Sequence, residues 1–336
     1  MLSGARASEG SCPRSWGASS TGGAARVAAQ VLEKAGALLA TSAIAITIAH
    51  FPLQSAALKD APTGHVEYDD QRAAQIERRG RIAEEVKYRG GETLTAAYGG
   101  AQFTYPSDVR LARPGTDLTI HNVPWEGRPF DHPIYYGVRV AHWLPASSFG
   151  GMVDFTHSKV YSPMDERTRF SGTKDGKALP PEARIEDVFH KLEFTHGHNM
   201  LTLNGLWRLP FSTSFFSPYV GVGVGVSLPH TEVQLQGEAK RTYEYQYTGP
   251  AFQLLFGIEF RIPRLSYFVE YKWTSANYRA PLHYRDTKTL FSDLGHQFSR
   301  WKSGAEPEGG WATTRLTSHQ VISGMGFRTL PAAAAQ

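Results

Sequence analysis

From Glu92 onward the chain reads in blocks of about ten residues in which apolar and polar side chains alternate, the period of an extended strand with two unlike faces. Eight such blocks can be marked, at 93–105, 134–144, 150–161, 198–209, 217–228, 251–262, 265–277 and 313–328. The fifth sets Val220, Val222, Val224 and Val226 against Gly221, Gly223 and Gly225. The sixth sets Phe252, Leu254, Phe256, Ile258 and Phe260 against Gln253, Gly257, Glu259 and Arg261. The connectors alternate too: short at 145–149, 210–216 and 263–264, long at 106–133, 162–197, 229–250 and 278–312. Short turns on one rim and long loops on the other are how membrane barrels face their two aqueous sides. The pattern predicts an all-β fold, an eight-stranded antiparallel transmembrane up-and-down β-barrel with both termini on the short-turn side. The competing architecture is a soluble barrel of lipocalin type, which turns its apolar side chains inward. Aromatic residues at strand ends (Tyr135, Tyr136, Trp143, Trp207, Tyr219 and Trp273) favour the membrane.

Ahead of the barrel the pattern changes twice. Residues 1–25 are rich in Gly, Ser and Ala without any apolar period, and read as unstructured or as an over-extended gene start. Arg26 and Lys34 then precede an apolar stretch at 35–49, which ends at Pro52 and Ser55-Ala56-Ala57. Basic residues, a short apolar run and a small-x-small site are the parts of a secretory signal peptide, with cleavage expected after Ala57. The run is shorter than the roughly 20 apolar residues of a spanning helix. Residues 66–89 are dense in charge and helix formers with a thin apolar face (Ile76, Ile82 and Val86), which predicts a short solvated helix. The domain reading is therefore 1–57 low-complexity start plus signal peptide, 58–91 charged helix or linker, 92–330 barrel and 331–336 tail.

Composition fits this picture. Charged residues make up 20% and mean hydropathy is −0.34, values that ordinarily read as a soluble protein, but barrel strands show only half their residues to lipid. The 33 Gly and 40 aromatic residues (18 Phe, 15 Tyr and 7 Trp) suit β structure. A formal charge of +4 with no basic run argues against nucleic acid. The single Cys12 precludes a disulfide framework.

With the apolar faces outward, Arg139, Asn204, Arg208, Glu259, Arg261, Glu270 and Lys272 point into the lumen. Charges there must pair, which predicts a salt-bridged plug. The outer rim carries more specific chemistry. His157, then Glu193, His196 and His198, then His230 and Glu232 fall near the upper ends of three consecutive strands. His and carboxylates serve as acid–base groups near neutral pH and as ligands for a divalent or redox-active metal. Candidate catalytic residues are His157, Glu193, His198 and His230. Candidate substrate-binding residues are Arg139, Lys159, Lys191 and Asn199, and the candidate metal pair is His196 with His198. The neighbours His157 and Ser158 suggest a serine hydrolase only if a bulge brings them to one face, and no G-x-S-x-G occurs.

These rim segments resemble the lipid A oxidase family of outer-membrane barrels from rhizobia and their relatives. The resemblance rests on Tyr135-Tyr136-Gly137-Val138-Arg139, the run from Asp154 to Tyr161, Leu192-Glu193-Phe194-Thr195 with Gly197 and Asn199, Pro218-Tyr219-Val220-Gly221, Pro229-His230, Thr248-Gly249-Pro250-Ala251 and Glu270-Tyr271-Lys272. It implies oxygen-dependent oxidation of the proximal glucosamine of lipid A to an aminogluconate. It also implies lipopolysaccharide and outer-membrane lipids as partners, molecular oxygen as acceptor, and a monomer in the outer membrane of a Gram-negative bacterium. The alternatives are a non-catalytic structural or adhesive barrel and a lipid A acyl hydrolase.

Overall fold

The structure, a computed structural model, describes residues 91–329 together with Ala74. The signal peptide, the charged helix at 66–89 and the tail at 331–336 lie outside the described residues. Elements follow in the order β1 (Glu92–Thr104), β2 (Ser107–Arg113), β3 (Thr116–Val123), β4 (Tyr136–Trp143), β5 (Phe149–Tyr161), β6 (Arg167–Lys174), β7 (Lys177–Ala178) and β8 (Glu182–Arg184). Then come α1 (Ile185–Val188), β9 (Phe189–Arg208), β10 (Phe216–Ser227), β11 (His230–Leu235), β12 (Thr242–Tyr245), β13 (Gly249–Ile262), β14 (Leu265–Pro281), α2 (Leu290–Ser303) and β15 (Trp311–Thr329).

Eight of these strands pair antiparallel in the order β1-β4-β5-β9-β10-β13-β14-β15, and β15 pairs back onto β1 from Thr93↔Thr329 to Thr104↔Ser318. The sheet is closed. Six of the eight strands begin and end within two residues of the alternating blocks. β9 starts at Phe189 instead of 198, and β14 runs on to Pro281, because both continue above the membrane into a second β-structure. The long loops supply the rest of it: β2 and β3 hang from the upper end of β15, β6 adds to β3, and the β11–β12 hairpin adds to the early part of β9. An apolar core including Leu118, Ile120, Phe170, Ile185, Phe189 and Leu235 fills this outer region.

Within the barrel wall the burial alternates strictly, as along β13. Val138, Val140, Val153, Leu201, Leu203, Val222, Val224, Phe252, Leu254 and Phe256 stand exposed on the outside, while the lumen holds Arg139, Asp154, Glu270 and Lys272. Ten such side chains at about half exposure, each forfeiting about 1 kcal/mol or more in water, put ~10 kcal/mol at stake. That matches the whole stability of an ordinary domain, about 5–15 kcal/mol, so the belt belongs against lipid and the lipocalin arrangement is excluded. Among the described residues no helix is long and apolar enough to cross a membrane; the strands cross it.

The predicted plug is present. Arg139 donates to both Glu270 oxygens (2.8 and 2.9 Å) and to Asp154 (3.2 Å), while Lys272 Nζ reaches Asp154 at 2.5 Å. Tyr98 and Tyr219 donate their hydroxyls to Asp154 (2.9 Å) and Glu270 (2.7 Å). The inward glycines explain how two tyrosines fit: a Cβ on Gly137 would collide with the Tyr98 ring, and one on Gly257 with the Tyr219 ring. Towards the short turns, Glu92 pairs with Arg208 (3.1 Å) and Arg328 (2.7 Å), beside Glu259 and Arg261.

Candidate functional site at the outer rim

Alternation along β5 and β9 sorts the rim residues onto two sides of the wall. On the outer side, the ring of His157 stacks on Tyr136 with centroids 4.7 Å apart. Its Nδ1 lies 2.8 Å from Asn199 Oδ1. A carboxamide oxygen only accepts, so Nδ1 carries the proton and Nε2 is the basic nitrogen. Asn199 is fixed in turn by its Nδ2 donating to the Leu228 carbonyl at 3.1 Å. Above it, His230 packs edge-on against Tyr243 and Tyr245 (4.3 and 4.6 Å), and its Nε2 donates to the Thr287 carbonyl at 3.0 Å, leaving Nδ1 basic.

Two residues along β11 on the same face, Glu232 stands opposite Glu193 of β9 in register. Lys191 Nζ lies 3.2 Å from Glu193, and Arg241 donates to Glu232 at 2.8 Å. Burial, then the neighbouring Glu193 carboxylate, pushes Glu232 above the ordinary carboxylate value. The outward side therefore carries two contact groups, His157 with Asn199 and Glu193 with Lys191 and Glu232, with His230 on β11 beside them. Lys191 is open to solvent, while His157 (5% exposed, its Nε2 shielded), Asn199, His230 and Glu193 are buried under the loop structure. The pattern of apolar residues left Tyr243, Tyr245 and Arg241 unmarked, the period-two spacing being the two tyrosines' only signal, and marked Tyr136 only as a strand-end aromatic.

Three expected site residues lie elsewhere. Arg139 sits in the plug, 3% exposed and held by two carboxylates, so it cannot meet a substrate at the rim. His198 points to the opposite side from His157, fully buried with its Nδ1 against the Tyr278 hydroxyl, beside Phe194. The ammonium of Lys159 is buried and donates to the Asp131 carbonyl at 2.8 Å. The His196 side chain lies outside what the structure describes, and a bulge interrupts the pairing between Ser158 and Val160 opposite it. Ser158 donates to the His198 carbonyl at 3.1 Å, so no Ser158–His157 dyad forms. Among the described residues, three His and carboxylate groups gather with ligand atoms within 4.8 Å of one another at Glu244, His283 and His296, behind β12 as seen from His230.

Below His157 the outer wall is grooved. The outward positions of β1 are small (Thr95, Ala97), and flanking Val138, Phe155, Met325 and Phe327 form the sides of an apolar groove of about 600 Å³. Its upper end reaches Phe155, whose ring lies 6.3 Å from that of Tyr136.

A closed barrel with a charged lumen, an apolar outer belt and a tall ordered loop structure on one rim defines an integral outer-membrane β-barrel protein. No protein-family model matches the chain, and no curated protein matches it in sequence. Among solved structures it is similar to Neisserial surface protein A (9% identity, 72% of this chain and 99% of that one, TM-score 0.32). It is also similar to Ail, the attachment invasion locus protein of Yersinia pestis (10% identity, 72% and 99%, TM-score 0.29). A third is the outer membrane protease OmpT from Escherichia coli (11% identity, 72% and 97%, TM-score 0.34).

Proposed function

We propose that this chain is an outer-membrane enzyme that modifies lipid A, by oxygen-dependent oxidation of the proximal glucosamine to an aminogluconate. The observation that carries the reading is the placement of the acid–base face. His157 and Asn199 lie on the outward-facing side of the wall just above an apolar groove on the lipid face, and Glu193 and His230 follow on the same side in the loop structure above, all four less than a tenth exposed. A lipid that seats a chain in that groove presents its sugar headgroup at the level of His157. Lys191, the one expected binding lysine still reachable from solvent, suits a headgroup phosphate. His157 Nε2 then takes the proton of a free anomeric hydroxyl, and the C1 hydrogen leaves with two electrons. Molecular oxygen, as acceptor, takes up the two electrons and two protons to give hydrogen peroxide. Water opens the resulting lactone to the acid, a net gain of one oxygen. A metal ion belongs to the same proposal: a redox-active one would supply electron transfer, a redox-inert divalent one only polarisation of the sugar oxygens.

Mass spectrometry of lipid A from strains with and without the gene tests it. A gain of one oxygen supports the oxidase, loss of an acyl chain replaces it with a hydrolase, and unchanged lipid A refutes both. One observation favours a second reading, a surface-binding barrel: α2 holds Phe291, Phe298 and Trp301 out into solvent at 85%, 61% and 78% exposure. That reading predicts unchanged lipid A.

A further inference from the structure

We infer that Glu244, His283 and His296 form a binding site for one divalent first-row transition metal ion, which ties the third long loop to the fourth. The three residues come from separate segments: β12, the stretch just past β14, and the middle of α2. Tyr243 and Tyr245 of β12 face His230, so alternation turns Glu244 to the other side, away from the rim face. There its Oε1 lies 2.8 Å from His283 Nδ1, and the His296 ring stands 5.2 Å from the His283 ring at 86°. One nitrogen of each ring and one carboxylate oxygen fall within 4.8 Å of one another. Ligands about 2.0–2.2 Å from a tetrahedral ion are ~3.4 Å apart, so rotamer adjustments of about an ångström close the cage.

A plain hydrogen-bonded pair accounts for Glu244 and His283 but leaves the third member unexplained. His296 Nδ1 is shielded from solvent and has no hydrogen-bond partner among the described residues. Gln246, just past the end of β12, donates to Glu244 Oε1 at 2.9 Å, the kind of outer support that orients a ligating carboxylate. Two cations oppose an incoming ion: Arg300, near His296, and nearest of all Arg285, 3.1 Å from Glu244 Oε2. It already lies 3.5 Å from Asp293, which can take over its charge when a cation arrives. Two imidazoles and one carboxylate with open positions suit zinc, cobalt or ferrous iron better than calcium or magnesium, which favour oxygen.

The inference stands apart from the lipid A reading and is tested without it. Full-length protein refolded in detergent and stripped with EDTA is titrated with Co2+, followed by its visible absorption, and with Zn2+, followed by calorimetry. One ion per chain is expected. His296→Gln and Glu244→Gln should each weaken binding at least about tenfold, whereas His121→Ala, on β3, should not. Heat-modified gel mobility reports whether each variant folds. His296, half-buried and without a partner on Nδ1, can be replaced with least risk to folding. Absence of a stoichiometric ion, or unchanged affinity in folded His296→Gln, overturns the site whatever happens to lipid A.

Discussion

Replacing Asp154 by Asn removes one of four charges that balance in the centre of the lumen. Arg139 and Lys272 are the cations, Asp154 and Glu270 the anions, and all four are at most 3% exposed. The substitution keeps shape and hydrogen-bonding capacity for Tyr98, but it leaves Lys272 Nζ, 2.5 Å away, with Glu270 at 4.0 Å as its nearest remaining anion. Losing one partner of a buried pair costs about 3–5 kcal/mol, because the orphaned charge keeps its desolvation penalty. Neutralising the orphan should restore most of the loss. The double variant Asp154→Asn/Lys272→Met should therefore lie well above the sum of the single effects, with a coupling of about 2–3 kcal/mol. Urea unfolding in detergent, followed by tryptophan fluorescence, measures all four corners of the cycle. A cost below about 1 kcal/mol for Asp154→Asn, or strict additivity in the double variant, would refute the view that the lumen is a closed charge network. Because the network is sealed from the rim, folded Asp154→Asn should still modify lipid A at the wild-type rate.

Other substitutions separate the rim from the lumen. His157→Ala should lower turnover by about 10²–10⁴-fold, and Asn199→Ala by less, each at a stability cost of about 1–3 kcal/mol for the buried hydrogen bond lost; loss of folding that accounts for the lost turnover would demote His157 to a structural residue. Ala97→Phe fills the groove on the lipid face without touching the lumen, and should cut activity on lipid A on the order of tenfold to a hundredfold while sparing heat-modified mobility. The raised value of Glu232 carries a sign for pH. Glu193 and Lys191 face it from β9, Arg241 from just before β12, Tyr243 from β12, Tyr161 from β5, and Asp286 through Arg241. Folding favours its protonated form, so its contribution is present below the ordinary carboxylate value of about 4.3 and lost as pH rises through the higher folded value. Amide exchange in the β11–β12 hairpin should accelerate over that window, and Glu232→Gln should flatten the dependence.

Barrel strands were legible because lipid on one side and a polar lumen on the other impose a strict two-residue period. Phe252 to Phe260 can be read by eye, and the observed register places Gln253 and Glu259 inward as expected. The period fails where lipid ends. Above the membrane β9 pairs with β11 and the upper end of β5 away from lipid, so 189–197 mixes His, Lys and Glu with Phe and Leu, and no alternation marked it as strand. The same change of surroundings hid the hairpins β2–β3 and β11–β12 inside segments that read as loops.

Parity also decided which rim residues can act together. His157 and His198 lie close along the wall, since Ser158 pairs with His198, yet that register puts them on opposite sides. His157 faces Tyr136 and Asn199, whereas His198 faces Tyr278 in the apolar upper lumen. A one-residue slip reverses every side chain of a strand. Nearness in sequence at a rim therefore says little about a shared site until the register is fixed. Within the fixed register the same rule becomes informative on β12. Tyr243 and Tyr245 line the rim-side face with His230, and Glu244, held by Gln246 just past the strand, turns to His283 and His296 on the other. A four-residue strand thus separates an acid–base face from a ligand cage, and substitutions on its odd and even positions should affect different chemistries.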